Sequence, residues 1–338
     1  MVNKVAEPHP ERSFALPAEG IWGPRLASGY MSTTRSLRVG VTSFGAELPT
    51  RTKVSLAQQA ERAGFARFLL VESVETNEAM VQLAAIAMAT DSIGVGTGIA
   101  NIYLRRVDML GAAAVAVADV SAGRLVLGIG PNNRRAVQGL GLTWQPPAEA
   151  LTQTTERLRA LFAGEAGRCG PASHPIPIPW AAVGLGSATA AGRHADGVMG
   201  YLATASRLAS VRDCFRRGAE SAGRDPDQLE FSLLLPTFID EDLETARAAA
   251  RSFLSFYTTL PHYRTMFEAS GFTDVASVPD GLIDAIVLAG PVQHCRQRLA
   301  DLAAVGLTDV DLAPLPVGGR DLPAAAAVLF EQREALVG

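Results

Sequence analysis

A (β/α)8 barrel is the fold class the sequence predicts, and three observations predict it. Short apolar runs suited to strands alternate with longer helix-like runs along the chain. Glycine pairs close two of these runs on the side where a parallel barrel carries its chemistry: Gly96 with Gly98, and Gly128 with Gly130. The chain has 338 residues, 48% of them hydrophobic and 19% charged, which is enough to bury one large core.

Taken in order, residues 1–36 hold Pro8, Pro10, Pro17 and Pro24 and no apolar run. They predict a loosely ordered arm without a signal peptide, or an arm that packs on a partner subunit through Trp22 and Tyr30; Met31 offers a second start. Strands are expected over 38–42, 68–71, 93–97 and 125–129, with an apolar helix over 107–120 between the last two. The second half continues with strands over 180–183, 197–199, 229–235 and 309–312. A single barrel domain over 37–338 follows.

Two stretches exceed a minimal barrel and are expected to form insertions on the catalytic rim. Residues 164–179 are dense in Gly and Pro, which excludes regular helix. Residues 255–284 carry Tyr257, His262, Tyr263, Met266, Phe267 and Phe272, a composition that suits closure over a ligand, packing on the barrel exterior or contact with a partner. The last helix is expected over 323–336, opened by Pro323.

A formal net charge of -4 with no lysine-rich run gives no footprint for nucleic acid or an anionic membrane surface. Cys169, Cys214 and Cys295 are few and far apart, so neither a disulfide framework nor a metal motif is expected, and a reducing cytoplasm fits. The apolar runs are too short for a membrane helix. Small-molecule chemistry is the remaining class.

No nucleophile elbow, Walker loop, HExxH or complete GxGxxG is present. The predicted rim is instead rich in backbone donors. Gly184, Leu185, Gly186 and Ser187 precede a helix expected over 188–194, a place for a phosphate or simply for a cap by Ser187. Thr97, Gly98 and Ile99 end the third strand, where close glycines suggest a bulge or a flat ligand. Glu72 places a carboxylate after the second strand, either toward a ligand or as an exposed salt-bridge partner. Pro131, Asn132 and Asn133 supply uncharged amides or turn geometry. Arg105, Arg106, Arg134 and Arg135 on the same two loops bind anions or lie in solvent.

These residues resemble the bacterial luciferase-like monooxygenase superfamily, in its branch that uses the deazaflavin coenzyme F420. The resemblance is carried by GVGTGIANIY at 94–103, DVSAGRLVLGIGPNN at 119–133, AAGRHADGVM at 190–199 and the stretch 289–310. It implies a barrel with the coenzyme at the carboxyl rim, a homodimer, and a non-proline cis peptide at Gly98-Ile99 behind the ring system. The positions matching the family's cofactor contacts are Glu72, Thr97, Gly98, Ile99, Asn101, Pro131, Asn132, Gly186 and Ser187, with Glu72 also the candidate catalytic group. Where relatives carry a histidine after the second-strand acid, this chain has Ser73. That departure favours an F420-dependent reductase acting on an activated alkene or imine over a dehydrogenase with a histidine base. The alternatives are an FMN-dependent two-component monooxygenase and a non-catalytic flavin- or F420-binding relative.

Overall fold

The structure is a computed structural model that describes residues 37–45, 48–73, 76–165 and 170–337. The expected arm over 1–36, with Trp22 and Tyr30, lies outside the described residues, as does Cys169.

Among the described residues nine strands form one parallel sheet: β1 (Arg38–Ser43), β2 (Arg67–Leu70), β3 (Gly94–Asn101), β4 (Leu125–Gly130), β5 (Pro179–Ala181), β6 (Gly197–Tyr201), β7 (Glu230–Ile239), β8 (Leu288–Gly290) and β9 (Asp309–Pro314). Strands β1 to β6 pair in sequence order, β9 joins β1 to β7, and β6 pairs with β7, so eight strands close into a barrel. This is the (β/α)8 fold the alternation predicts.

Strand β8 is the exception. It pairs only with the far end of β7, Thr237 opposite Leu288 through Ile239 opposite Gly290. Three residues between two helices give no period from which a strand can be read. Several expected ends also move: β3 runs on to Asn101, β6 to Tyr201 and β7 to Ile239, whereas β2 stops at Leu70 and β5 at Ala181. Glycines that look like stops lie inside strands because neighbouring backbones come too close for a side chain. A Cβ on Gly96 would overlap the Val126 carbonyl, and one on Gly128 the Thr97 carbonyl.

The helix Val107–Val120 has the bounds its apolar run predicts. The helix after β5 starts earlier than expected, at Leu185, and the last helix is broken into Leu322–Glu331 and Arg333–Val337. The preceding helix Ala79–Ala89 is closed by the buried Arg124, whose guanidinium donates to the carbonyls of Ala87, Thr90 and Ile93. A cation there satisfies the orphan carbonyls of a helix end. No helix among the described residues is long and apolar enough to cross a membrane.

The main core lies between the outer faces of the strands and the helices, around residues such as Phe68, Leu127, Trp180 and Phe215. The barrel interior is layered differently. At its amino end, Arg67 of β2 forms paired hydrogen bonds with Glu230 of β7 (2.9 and 2.9 Å) and with Asp311 of β9 (2.8 and 2.7 Å). Above this ionic layer, Leu69, Met199 and Leu234 form a small apolar cluster, and Ile99 and Tyr201 pack on it from the carboxyl side. The floor of the rim is therefore apolar and closed. A second cluster, built on Phe238, Ala250, Leu254, Phe267 and Leu282, organises the segment after β7, with helices Leu243–Tyr257, Pro261–Ala269 and Asp280–Ile286.

Candidate active site

The rim is built around an irregularity in β3. Thr97 is opposite Leu127 of β4, but Ala100 is opposite Ile129, so β3 spends one residue more than its neighbour. The extra residue falls at Gly98-Ile99, whose peptide bond is cis. A bulge of this kind re-aims the backbone at the end of a strand.

Glu72 clamps both sides of it. Its N–H donates to the Ile99 carbonyl (3.1 Å), and its carboxylate accepts the Asn101 N–H (3.0 Å) and the Ala79 N–H (3.3 Å). The same carboxylate pairs with Arg105, which also reaches Glu78 at 2.8 Å. Glu72 is thus a salt-bridge partner, but a buried one at 2% exposure rather than an exposed one. With three donors on its oxygens the carboxylate is committed to holding the backbone and Arg105 in place. Arg105 does bind carboxylates, those of the chain itself. Arg106 is exposed and comes within 3.9 Å of Asp108; Arg134 and Arg135 are exposed as well.

The other expected positions divide by direction. Thr97 is buried and donates to the Gly128 carbonyl (2.7 Å), which locks β3 to β4 and turns its hydroxyl away from the rim. A Cβ on Gly98 would point at Leu69 and Leu234, so that residue faces the barrel axis beside Ile99. Asn101 is fully buried; its Oδ1 accepts the Tyr103 N–H (3.0 Å) while its Nδ2 has no partner. On β4's loop, Asn132 takes a left-handed φ of 57° and its Oδ1 accepts from Asn133 (2.7 Å). Asn133 caps the helix Arg134–Gly139 through the Ala136 N–H (2.8 Å). Turn geometry accounts for both asparagines, and Pro131 leads into this turn half-buried.

After β5, Gly184 is the N-cap and makes no side-chain cap, so Ser187 does not cap the helix. The first intrahelical bond runs from the Ala188 N–H to the Gly184 carbonyl (2.9 Å). The N–H groups of Leu185, Gly186 and Ser187 therefore belong to the open helix end. Nothing lies within 4 Å of a Cβ on Gly186, so the approach is clear. Strands β3, β4 and β5 are neighbours, so the bulge, the asparagine turn and this helix end occupy one arc of the rim.

Three features lay outside the reach of sequence reading. Thr42 and Ser43 end β1 with buried hydroxyls that have no partner. Beside them Phe44 stacks on Tyr201 at 6.0 Å. Tyr201 in turn is hydrogen-bonded to Tyr257. The one available signal is the parity of β6, which puts Tyr201 on the face of Gly197 and Met199.

The family model described as luciferase-like monooxygenase matches residues 29–309. The chain belongs to the luciferase-like monooxygenase family. Its relatives in this family include 5,10-methylenetetrahydromethanopterin reductase of Methanolobus tindarius, 24% identical over 82% of this chain and 95% of that protein. F420-dependent hydroxymycolic acid dehydrogenase of Mycobacterium tuberculosis is 31% identical over 62% of this chain and 65% of that protein. Among solved structures, the coenzyme F420-dependent tetrahydromethanopterin reductase from Methanopyrus kandleri superposes with a TM-score of 0.73 at 21% identity, covering 88% of this chain and 98% of that one. Shared architecture at this identity establishes the barrel, in agreement with the closed sheet described above.

Proposed function

We propose that this chain is an F420-dependent oxidoreductase that works as a reductase, delivering hydride from reduced F420 to an activated alkene or imine of a small organic substrate. The observation that carries the reading is the unpartnered Asn101 amide, fully buried beside the Gly98-Ile99 bulge. A buried donor without an acceptor is rare in a folded protein and asks for a ligand that supplies one. The carbonyl-bearing ring system of a deazaflavin does. Relatives named as F420-dependent enzymes give the same direction.

In this reading Ile99 and Gly98 back the ring, Asn101 binds its edge, and the asparagine turn at Pro131 and Asn132 borders it. The helix end at Gly186 and Ser187 takes the coenzyme phosphate through free N–H groups and the helix dipole. Glu72 is a positioning residue, and the commitment of its carboxylate to the Ala79 and Asn101 N–H groups and to Arg105 supports reduction over base-assisted dehydrogenation. The coenzyme supplies the hydride; the protein supplies orientation and a dry, apolar floor. Segment 255–284 acts as an insertion on a single barrel domain and covers the substrate side, whereas the described residues 170–178 lead into the amino end of β5, with His174 against Gly123 just before β4, so the proline-rich stretch lies at the opposite end of the barrel from the rim.

The test is a parallel titration of the purified protein with oxidised F420 and with FMN, followed by fluorescence quenching. Micromolar binding selective for F420 is the expected result, together with oxidation of reduced F420 by an alkene or imine panel. Selective FMN binding would replace the reading with a monooxygenase, and tight F420 binding without any turnover would replace it with a non-catalytic carrier.

We also propose a homodimer formed through the helices Ala79–Ala89 and Val107–Val120. Val81, Ala84, Ala85 and Met88 make an outward apolar stripe on the first, and Met109, Ala113, Ala116 and Val120 one on the second. Val81, Met88 and Met109 are 70%, 73% and 63% exposed, an unusual load of bare apolar surface for a monomer. Met88→Arg is expected to convert a dimer into a monomer by sedimentation velocity; a wild type that sediments as a monomer refutes the interface. The free thiols of buried Cys214 and Cys295 support a reducing, cytoplasmic location, which cell fractionation checks.

A further inference from the structure

Tyr201 is the last residue of β6, on the same face as Met199 and Gly197, and its ring packs on Leu69, Met199 and Leu234. Ile99 packs on the same three residues. The phenol and the β3 bulge therefore flank one point on the barrel axis, at the floor of the rim. Among the described residues no other tyrosine packs on that cluster.

Its surroundings fix the ring. Phe44 from the end of β1 stacks on it at 6.0 Å with 27° between planes. Tyr257 and Tyr263, from the segment after β7, meet it edge-on at 5.5 and 6.2 Å. Its hydroxyl is 2.8 Å from that of Tyr257 and donates to it. Two hydroxyls so placed can exchange roles by rotating their protons, so Tyr257 can donate to Tyr201 and release the Tyr201 O–H toward the rim. Burial, reinforced by Tyr257 and Tyr263, pushes the Tyr201 phenol well above its ordinary range, and burial pushes up that of Tyr257 too. Both remain neutral donors at any physiological pH.

Resting on the F420-reductase reading, we propose that Tyr201 is a catalytic residue that donates a hydrogen bond to the carbonyl oxygen of an α,β-unsaturated carbonyl substrate, with Tyr257 as its positioning residue. Hydride brings two electrons to the β-carbon. The carbon–carbon π pair moves to form the enolate, and the carbonyl π pair moves onto oxygen, where the Tyr201 O–H meets the new negative charge. Water then protonates the α-carbon, the hydroxide left behind is neutralised by the proton that reduced F420 gives up on becoming oxidised, and Tyr201 ends as it began. A fixed donor in an apolar setting stabilises such developing charge without reorganising. A neutral phenol held at the apolar floor beside the bulge lends a hydrogen bond and keeps its proton, which suits an oxygen that carries charge for one step rather than an imine nitrogen that must gain a proton, so this placement favours the unsaturated carbonyl class.

The experiment compares wild type, Tyr201→Phe and Tyr257→Phe in three readouts: F420 affinity, the infrared carbonyl stretch of 2-cyclohexen-1-one bound to protein loaded with oxidised F420, and steady-state reduction of a panel of cyclic and linear enones. In wild type the stretch moves to lower frequency. In Tyr201→Phe it returns toward the free value and kcat falls by about 100- to 1,000-fold, the range for loss of one such donor, while KM and F420 affinity are kept. Tyr257→Phe gives a smaller loss with the same split. The proposal is overturned by a Tyr201→Phe protein with wild-type kcat and stretch, by one that loses F420 affinity, which makes the phenol structural, or by a wild type that binds F420 but neither shifts the stretch nor reduces any enone. A wild type that does not bind F420 overturns the underlying reading instead.

Discussion

Replacing Arg67 by methionine is expected to destabilise the protein by about 3–5 kcal/mol, the range for removing one partner from a buried ion pair. Arg67 is 5% exposed and pairs with Glu230 and Asp311, while Asp309 lies 3.8 Å away. Methionine fills much of the volume but leaves three carboxylates around an apolar side chain, with Arg38 and the Thr308 hydroxyl each reaching Asp309 at 2.8 Å. Urea unfolding at neutral pH measures the loss, which is a large share of the roughly 5–15 kcal/mol a domain has.

The pH dependence of the layer should change as well, because its two acids start on opposite sides: burial, reinforced by Asp309 and Glu230, holds Asp311 above its ordinary range despite Arg67. In wild type, burial raises the Glu230 carboxyl but the Arg67 guanidinium outweighs it and holds the group below its ordinary range. Its contribution is therefore present at neutral pH and disappears as pH falls through that lowered value. Without Arg67 the largest opposition to burial is gone and only the Ser232 hydroxyl and the more distant Arg38 still favour the charged form, so the folded state should hold a proton on Glu230 more readily and the acid-side loss of stability should shrink or reverse as pH drops from 7 toward 5. A variant as stable as wild type, with the same pH slope, would show that the ionic layer contributes nothing to folding.

The second large effect is expected from Ser187→Asp. The residue lies in the first turn of the helix Leu185–His194, where a carboxylate is favourable to the helix itself, so the fold should be kept. The same carboxylate would face the coenzyme phosphate at the helix end. Repulsion should raise the F420 dissociation constant at least about tenfold, equivalent to 1.4 kcal/mol, and the penalty should shrink as salt is added. Ser187→Asn, similar in size and uncharged, should bind nearly as well as wild type. Equal affinity in the aspartate variant would remove the phosphate from this helix.

Much of the rim was legible because its signals are local. The glycines at 96 and 98 mark the β3 bulge within a few residues, and the cis Gly98-Ile99 bond lies where the family resemblance places it. The apolar run 107–120 becomes a helix with those bounds, since periodicity and helix geometry act over the same few turns. Glu72 shows the limit of such reading. The sequence places a carboxylate after β2, but its partners come from the start of the next helix (Ala79), the end of β3 (Asn101) and the loop after β3 (Arg105), and they decide that it clamps a backbone.

By itself, then, the sequence determined the alternation of strand and helix, the glycine-marked rim and the family, all written in patterns a few residues long. Only the tertiary structure decided how far β3, β6 and β7 extend, that β8 exists, and which charged and phenolic groups meet inside the barrel. Arg67 and Asp311 are 244 positions apart, and Tyr201 and Tyr257 are 56 apart. Pairs so distant become neighbours when the eight strands close, because closure fixes which strand faces are inward and which residues share a level, and no local period carries that information.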